Sequence, residues 1–158
     1  MYPFNSRSLG NIRTCHPDLQ VLAFAAADHR NCSALSGKRG EEEQNYLYSI
    51  GASTKKYPFS DHNTEPFSIA IDLVPYKGTV PHIDWKDELS FAEFSGYVKC
   101  LADGLGTPVG SGLDWDVDLN FDDQTFMDGA HFWLLNPREI TTDMIKYCRL
   151  LFVDKLAA

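Results

Sequence analysis

No stretch of this sequence stays apolar for the ~20 residues that a membrane-spanning helix needs, so no helical span is expected. The opening segment MYPFNSRSLGNIRTCHP has no hydrophobic core of the secretory kind, and no Sec-type signal peptide is expected. Basic charge is scarce. Fourteen Lys and Arg stand against 22 Asp and Glu, a formal net charge of −8. That balance argues against a protein that grips nucleic acid through its phosphates. Cysteine is sparse, and none of Cys15, Cys32, Cys100 and Cys148 forms a C-x-x-C pair. Zinc ribbons and fingers are therefore excluded, and free, partly buried thiols are expected rather than a disulfide framework. There is no internal repeat, low-complexity tract or linker-like stretch. What is present is globular in kind: 44% hydrophobic and 23% charged residues exclude disorder, collagen and coiled coil. A length of 158 residues suits one domain, 1–158, burying roughly 70% of its unfolded surface.

The chain punctuates itself clearly in places. His16-Pro17-Asp18 predicts a helix start, with Pro in the first turn and Asp at the positive end of the dipole, and Leu19, Leu22, Ala23 and Ala26 follow at helical spacing. A polar stretch, NCSALSGKRG, leads to EEEQNYLYSIG, read as a short helix stopped by Gly51. Residues 52–66 read as a loop. FSIAIDLVPY alternates and predicts a half-buried strand closed by Pro75. A third helix is expected from about Asp87 to Ala102 on the stripe Phe91, Phe94, Val98 and Leu101. Residues 110–128 read as a strand plus an acidic loop, HFWLL as a short strand, and Thr141-Thr142-Asp143 as the cap of a last helix within an extension of about 138–158. Few strands with helices grouped between them predict an α+β fold: a small antiparallel sheet with helices packed around it and an extra C-terminal helix.

Three residues draw attention as chemistry. His62, Asp72 and His131 offer two imidazoles and a carboxylate, a donor set that suits zinc and leaves a fourth position open. Spacing alone favours the plainer reading, a loop histidine and a turn carboxylate, because His-x9-Asp is not a specific pattern. His62 and Asp72 stand ten residues apart, so the loop between them must fold back if both are to reach one ion.

The segment SDHNTEPFSIAIDLVPY, followed later by MDGAHFWLL, resembles the phage L-alanyl-D-glutamate endopeptidases, endolysins of the zinc D-Ala-D-Ala peptidase superfamily. The matching residues are His62, Ala70-Ile71-Asp72, Pro75-Tyr76 and Asp128-Gly129-Ala130-His131. Upstream, SGKRGEEEQNYLYSIG is similar to the family's Gly-x-Arg segment at Gly37, Arg39 and Gln44, and CHPDLQVLAFAAA to its opening helix. The resemblance spans about residues 6–135. There are departures. The His-to-Asp spacing is longer than in much of the superfamily and is similar to that of a phage branch with an H-N-x-x-P loop. Ile69 stands where that branch usually has Arg, and Trp133 stands where Glu is common.

The resemblance implies Zn2+ held by His62, Asp72 and His131, with Asp128 as general base. It implies that Arg39 offers its fork of donors to a substrate carboxylate or oxyanion, with Gln44 and Ser60 in substrate binding. The expected function is a phage endolysin cutting the L-Ala-D-Glu bond of the peptidoglycan stem peptide. It would act as a monomer, without nucleic-acid or membrane partners, held in the host cytoplasm until its release to the wall at lysis. Two alternatives stay open: a D-Ala-D-Ala carboxypeptidase, and a non-catalytic binding module on the same zinc fold. His16, His29 and His82 match no ligand position and read as surface or capping residues.

Asp114, Asp116 and Asp118 occupy the first three ligand places of a calcium loop, but Leu119 stands where that loop needs Gly and Thr125 where it needs Glu. The segment is not an EF-hand. It is either a solvated acidic turn or a site for Ca2+.

Overall fold

A computed structural model describes residues 2–156. The fold is α+β. Helix α1 (Ser6–Arg13) is capped by the Asn5 side chain, which accepts from the Ser8 amide at 2.8 Å. Helix α2 (Pro17–His29) begins where Pro17 predicts, and the His16 ring accepts from the Asp18 amide at 3.2 Å. Strand β1 (Cys32–Ser36), helix α3 (Glu41–Ser49) and a single 3-10 turn, Asp61–Asn63, follow. Strand β2 (Ala70–Pro75), helix α4 (Glu88–Gly104), strands β3 (Val109–Gly112) and β4 (Asp128–Leu134), and helix α5 (Thr142–Leu156) complete the order.

The four strands form one antiparallel sheet in the order β1-β2-β4-β3. Ile71, Leu73, Phe132 and Leu134 belong to the main core with Leu19, Leu22, Phe94 and Val98 of α2 and α4. Apolar side chains shared between sheet and helices are the dominant stabilising term, at ~25 cal/mol per Å² removed from water. Helix α5 packs on α2, with the Phe152 ring edge-on to Phe24 at 5.0 Å.

Three expectations need correction. The strand read as half-buried is buried on both faces from Ala70 to Val74, because α2 and α4 pack on the Ile71 and Leu73 face and the loops of the site cover its polar side. The polar stretch NCSALSGKRG contains strand β1; its small, polar sequence gave no period-2 signal, and pairing with β2 imposes the strand. His16 is a cap as expected but lies in the interior, its Nε2 facing the Arg138 carbonyl at 3.0 Å. The cysteines are free as expected; Cys15, Cys32 and Cys148 are buried and Cys100 is exposed. Burial pushes the Cys32 thiol up to about 12 and, with Asp18 nearby, the Cys148 thiol up to about 11, so neither is a nucleophile at neutral pH.

Candidate functional site

Strand register assembles two thirds of the donor set. Asp72 on β2 lies directly opposite His131 on β4, so both side chains project from the same face of the sheet. The third donor comes from the 3-10 turn, and the loop behind it does fold back. The Ile69 amide donates to the Asp61 carbonyl at 3.1 Å, and the Thr64 hydroxyl donates to the Phe67 carbonyl at 2.7 Å. Ser60 caps the turn, its Oγ accepting from the His62 amide at 3.3 Å. The turn is then sewn to the segment after β1: the Arg39 amide donates to the His62 carbonyl at 2.9 Å, and Asn63 Nδ2 donates to the Arg39 carbonyl at 3.0 Å.

His62 is fully buried, and its tautomer follows from its neighbours. Nδ1 lies 2.6 Å from the Gly37 carbonyl, which can only accept, so Nδ1 carries a proton and Nε2 is the ring nitrogen turned to Asp72 and His131. A side chain at position 37 would meet the Asn11 carbonyl at 2.2 Å and Thr14 Oγ1 at 2.3 Å, so glycine is needed for this carbonyl to reach the ring.

His62 Nε2, His131 Nδ1 and Asp72 Oδ1 stand 3.1 Å from one another in all three pairings. Tetrahedral ligands bonded at ~2.0–2.1 Å lie about 3.3 Å apart, so this triangle has the size of a zinc site. Two nitrogens and an anionic oxygen, buried together, are also the donor chemistry that a metal ion requires. The other Asp72 oxygen accepts from the Arg39 guanidinium, whose Nε donates to Ser36 Oγ at 2.8 Å. Burial alone would raise the Asp72 carboxyl, but His62, His131 and Arg39 outweigh it and hold Asp72 well below the usual carboxylate range.

Asp128 opens β4 at the edge of this cluster. Burial and the charge of Asp72 push its carboxyl up, against the opposing pull of His131, the Ala130 amide and Arg39. A raised carboxyl beside a metal-binding set makes Asp128 a candidate for acid–base work.

Sequence reasoning missed an aromatic stack over His131. Trp115, from the acidic loop, lies parallel to Trp133 at 5.2 Å and against the His131 ring at 5.1 Å. Its Nε1 donates to the Phe126 carbonyl at 2.5 Å. Gly110, paired with Trp133 across β3 and β4, leaves the space: a Cβ there would come within 2.3 Å of the indole. The odd Trp133 was visible in the sequence, but its partner Trp115 was not.

Gln44 lies in the interior rather than on the helix surface. Its Nε2 donates to the Lys55 carbonyl at 2.7 Å and to Ser53 Oγ at 2.9 Å, while its buried Oε1 has no partner among the described residues. Asp114, Asp116 and Asp118 each bring a carboxylate oxygen within 4.8 Å of the others. Asp114 is fully buried and accepts from the amides of Asp118 at 3.2 Å and Leu119 at 3.3 Å. The loop winds tightly enough to force Val117 and Leu119 to φ of 60° and 70°, the left-handed region that such side chains avoid.

Residues 1–135 match the family model for phage L-alanyl-D-glutamate peptidase. Among solved structures, the L-Ala D-Glu endopeptidase ChiX of Serratia marcescens is similar, at 26% identity and a TM-score of 0.64, with 84% of this chain and 89% of that chain covered. No curated protein matches.

Proposed function

This chain belongs to the phage L-alanyl-D-glutamate peptidase family, and we propose that His62, Asp72 and His131 are the zinc ligands of its active site. It is a peptidase of the L-Ala-D-Glu bond, a hydrolase whose substrate is the stem peptide of bacterial peptidoglycan. The observation that carries the metal assignment is the 3.1 Å triangle of His62 Nε2, His131 Nδ1 and Asp72 Oδ1. When bound, zinc polarises a carbonyl and lowers the pKa of water.

The remaining steps belong to this chain's own side chains. Asp128, its carboxyl raised by burial and by the charge of Asp72, takes the proton of the attacking water at a carboxylate oxygen and returns it to the D-Glu nitrogen as the bond breaks. Arg39 fixes the Asp72 carboxylate and turns its remaining N–H donors to the oxyanion or to a substrate carboxylate. Ser60 and Gln44 act through the loops they hold, Ser60 setting the His62 turn and Gln44 the 53–55 segment beside it. The acidic loop holds Ca2+ on Asp114, Asp116 and Asp118, with an affinity weakened by the missing Gly and Glu.

No described helix is long and apolar enough to cross a membrane. The protein works as a monomer and a single peptidase unit, with α5 (Thr142–Leu156) as the helix of the C-terminal extension expected at about 138–158, of which residues 157–158 lie outside the described residues. It waits in the host cytoplasm until lysis brings it to the wall.

The test is metal content and cell-wall lysis with and without a chelator. One zinc per chain, lysis abolished by chelation and restored by zinc, and loss of both metal and lysis in His62→Ala, Asp72→Ala and His131→Ala are expected. A variant that keeps full metal and full activity removes that residue from the ligand set. The masses of the released fragments identify the cleaved bond and separate this activity from D-Ala-D-Ala carboxypeptidase action.

A further inference from the structure

A cavity of about 1020 Å3 lies between α4 and the acidic loop, at the top of the about 300–1,000 Å3 range of ligand pockets. Asp128, assigned as base, and its neighbour Gly129 are among its lining residues, so it adjoins the proposed reaction centre. Its walls are apolar and open: Trp85, Leu89, Phe121 and Met127 are 61%, 83%, 52% and 53% exposed. Trp85 is backed on one face only. Its ring stacks on the buried Phe91 at 5.5 Å and 20°, leaving the other face free. Contiguous exposed apolar surface beside a reaction centre marks a place for a ligand.

A substrate whose scissile bond lies at Asp128 can extend into this cleft only by parts covalently continuous with that bond. Two parts of the substrate qualify. On the amine side of the L-Ala-D-Glu bond the peptide carries the D-Glu carboxylate and further charged groups. On the acyl side, L-Ala is amide-linked to an N-acetylated amino sugar of the glycan strand, and that side is uncharged. Electrostatics chooses between them. Glu88, Asp103 and Asp128 line the cleft, and its one lysine, Lys99, already faces the buried Asp114 at 3.8 Å. An anionic peptide is repelled there, whereas the carboxylates accept hydrogen bonds from sugar hydroxyls. The C–H faces of a pyranose ring match the free face of an indole, apolar in body with polar groups at the edge.

We propose that this cleft is the glycan-side subsite, with Trp85 as the stacking platform for the N-acetylated amino sugars that precede L-Ala. The inference rests on the peptidase reading and gives it a substrate preference: sugar-bearing stem peptide over the bare peptide.

The test compares kcat/KM of the zinc-loaded enzyme on a disaccharide-peptide and on the same peptide without sugar, for wild type, Trp85→Ala and Leu89→Asp. Wild type is expected to favour the sugar-bearing substrate. Each variant should lower that preference about three- to tenfold, through KM. A second arm titrates the uncleavable free disaccharide into Asp128→Asn and follows the Trp85 indole N–H by NMR. A saturable shift is expected, and it is lost in Asp128→Asn/Trp85→Ala. An unchanged preference in both variants, or a Trp85 signal that responds to bare peptide and not to disaccharide, overturns the assignment. Because the second arm needs no turnover, a wild type that cleaves neither substrate refutes the peptidase reading, while the disaccharide titration still decides the cleft.

Discussion

Replacing Trp115 by Ala removes the indole that packs against both Trp133 and the proposed ligand His131. Its two close ring contacts are each worth ~0.5–1.5 kcal/mol beyond area burial. The hydrogen bond from its Nε1 to the Phe126 carbonyl adds about 1 kcal/mol. The variant should therefore lose ~2–4 kcal/mol, which for a domain of this size lowers Tm by roughly 5–15 °C. Stability is only half of the argument. His131 loses one of the two indoles that hold its ring plane, Trp133 being the other, and loss of an orienting neighbour typically costs ~10–100-fold in metal affinity. Trp115→Phe keeps an aromatic face but not the N–H donor, so it should lose about 1 kcal/mol and retain most of the affinity. Thermal melts with and without zinc, competition titration of the metal and turnover measure all three quantities. If Trp115→Ala melts lower yet binds zinc and turns over like wild type, the stack is a lid on the loop and does not orient His131.

Gly37→Ala forces a methyl against the Asn11 carbonyl and displaces the carbonyl that orients His62; a cost of ~1–3 kcal/mol and a ~10–100-fold weaker zinc site are expected, and an unchanged zinc Kd contradicts the tautomer argument. Asp128→Asn should keep its zinc and lose ~10²–10⁴-fold in kcat, and wild-type kcat/KM should fall on acidification through a limb above the ordinary carboxylate range; near-normal turnover in the variant moves the base elsewhere. Because the folded-state Asp128 carboxyl is raised, its contribution to stability is full below the unfolded pKa and is lost as pH rises through the folded one. Metal-free Asp128→Asn should therefore melt no lower than metal-free wild type at pH 7. Calcium in the millimolar range should raise Tm or turnover of the zinc-loaded enzyme, and an equal response in Asp114→Asn/Asp116→Asn marks the loop as a solvated acidic turn.

The elements legible in the sequence are those whose own residues specify them. Pro17 and the Leu19–Ala26 spacing give α2, Gly51 ends α3, and the Phe91-to-Leu101 stripe gives α4. Helix α1 and strand β1 were not legible, because their stability comes from elsewhere. The α1 apolar residues are few, and buried Ser8 is explained by its partners on β1, Ser33 Oγ at 3.0 Å and the Ala34 amide, which donates to it at 3.2 Å. The site divides in the same way. His62, Asp72 and His131 stood out as residue types, and the resemblance joined them; their convergence depends on the Asp72–His131 register, which no local pattern encodes. The Trp115–Trp133 stack joins residues on separate elements and was invisible for that reason. Gln44 reads as a surface residue by helix position, and only the 53–55 loop that folds over it makes it interior.

Arg39 shows why a residue type alone does not fix a role. An arginine near a peptidase site suggests a clamp for a substrate carboxylate, yet here its guanidinium is already spent in part on Asp72 and its Nε on Ser36. That engagement does not compete with a substrate role, because a guanidinium has five N–H donors in a fixed plane. It also has a consequence for the metal set. With one Asp72 oxygen held by Arg39, only Oδ1 turns to His62 and His131, so the carboxylate is available as a one-oxygen ligand, which keeps the ligand count at three. A bidentate carboxylate would crowd the position that the carbonyl and the attacking water need. The guanidinium charge also offsets part of the Asp72 charge felt by Asp128, limiting how far that carboxyl is raised. Arg39 thus acts at both ends of the proposed chemistry: it sets how many oxygens the metal ligand presents, and it pulls the carboxyl of the base downward against burial and the charge of Asp72.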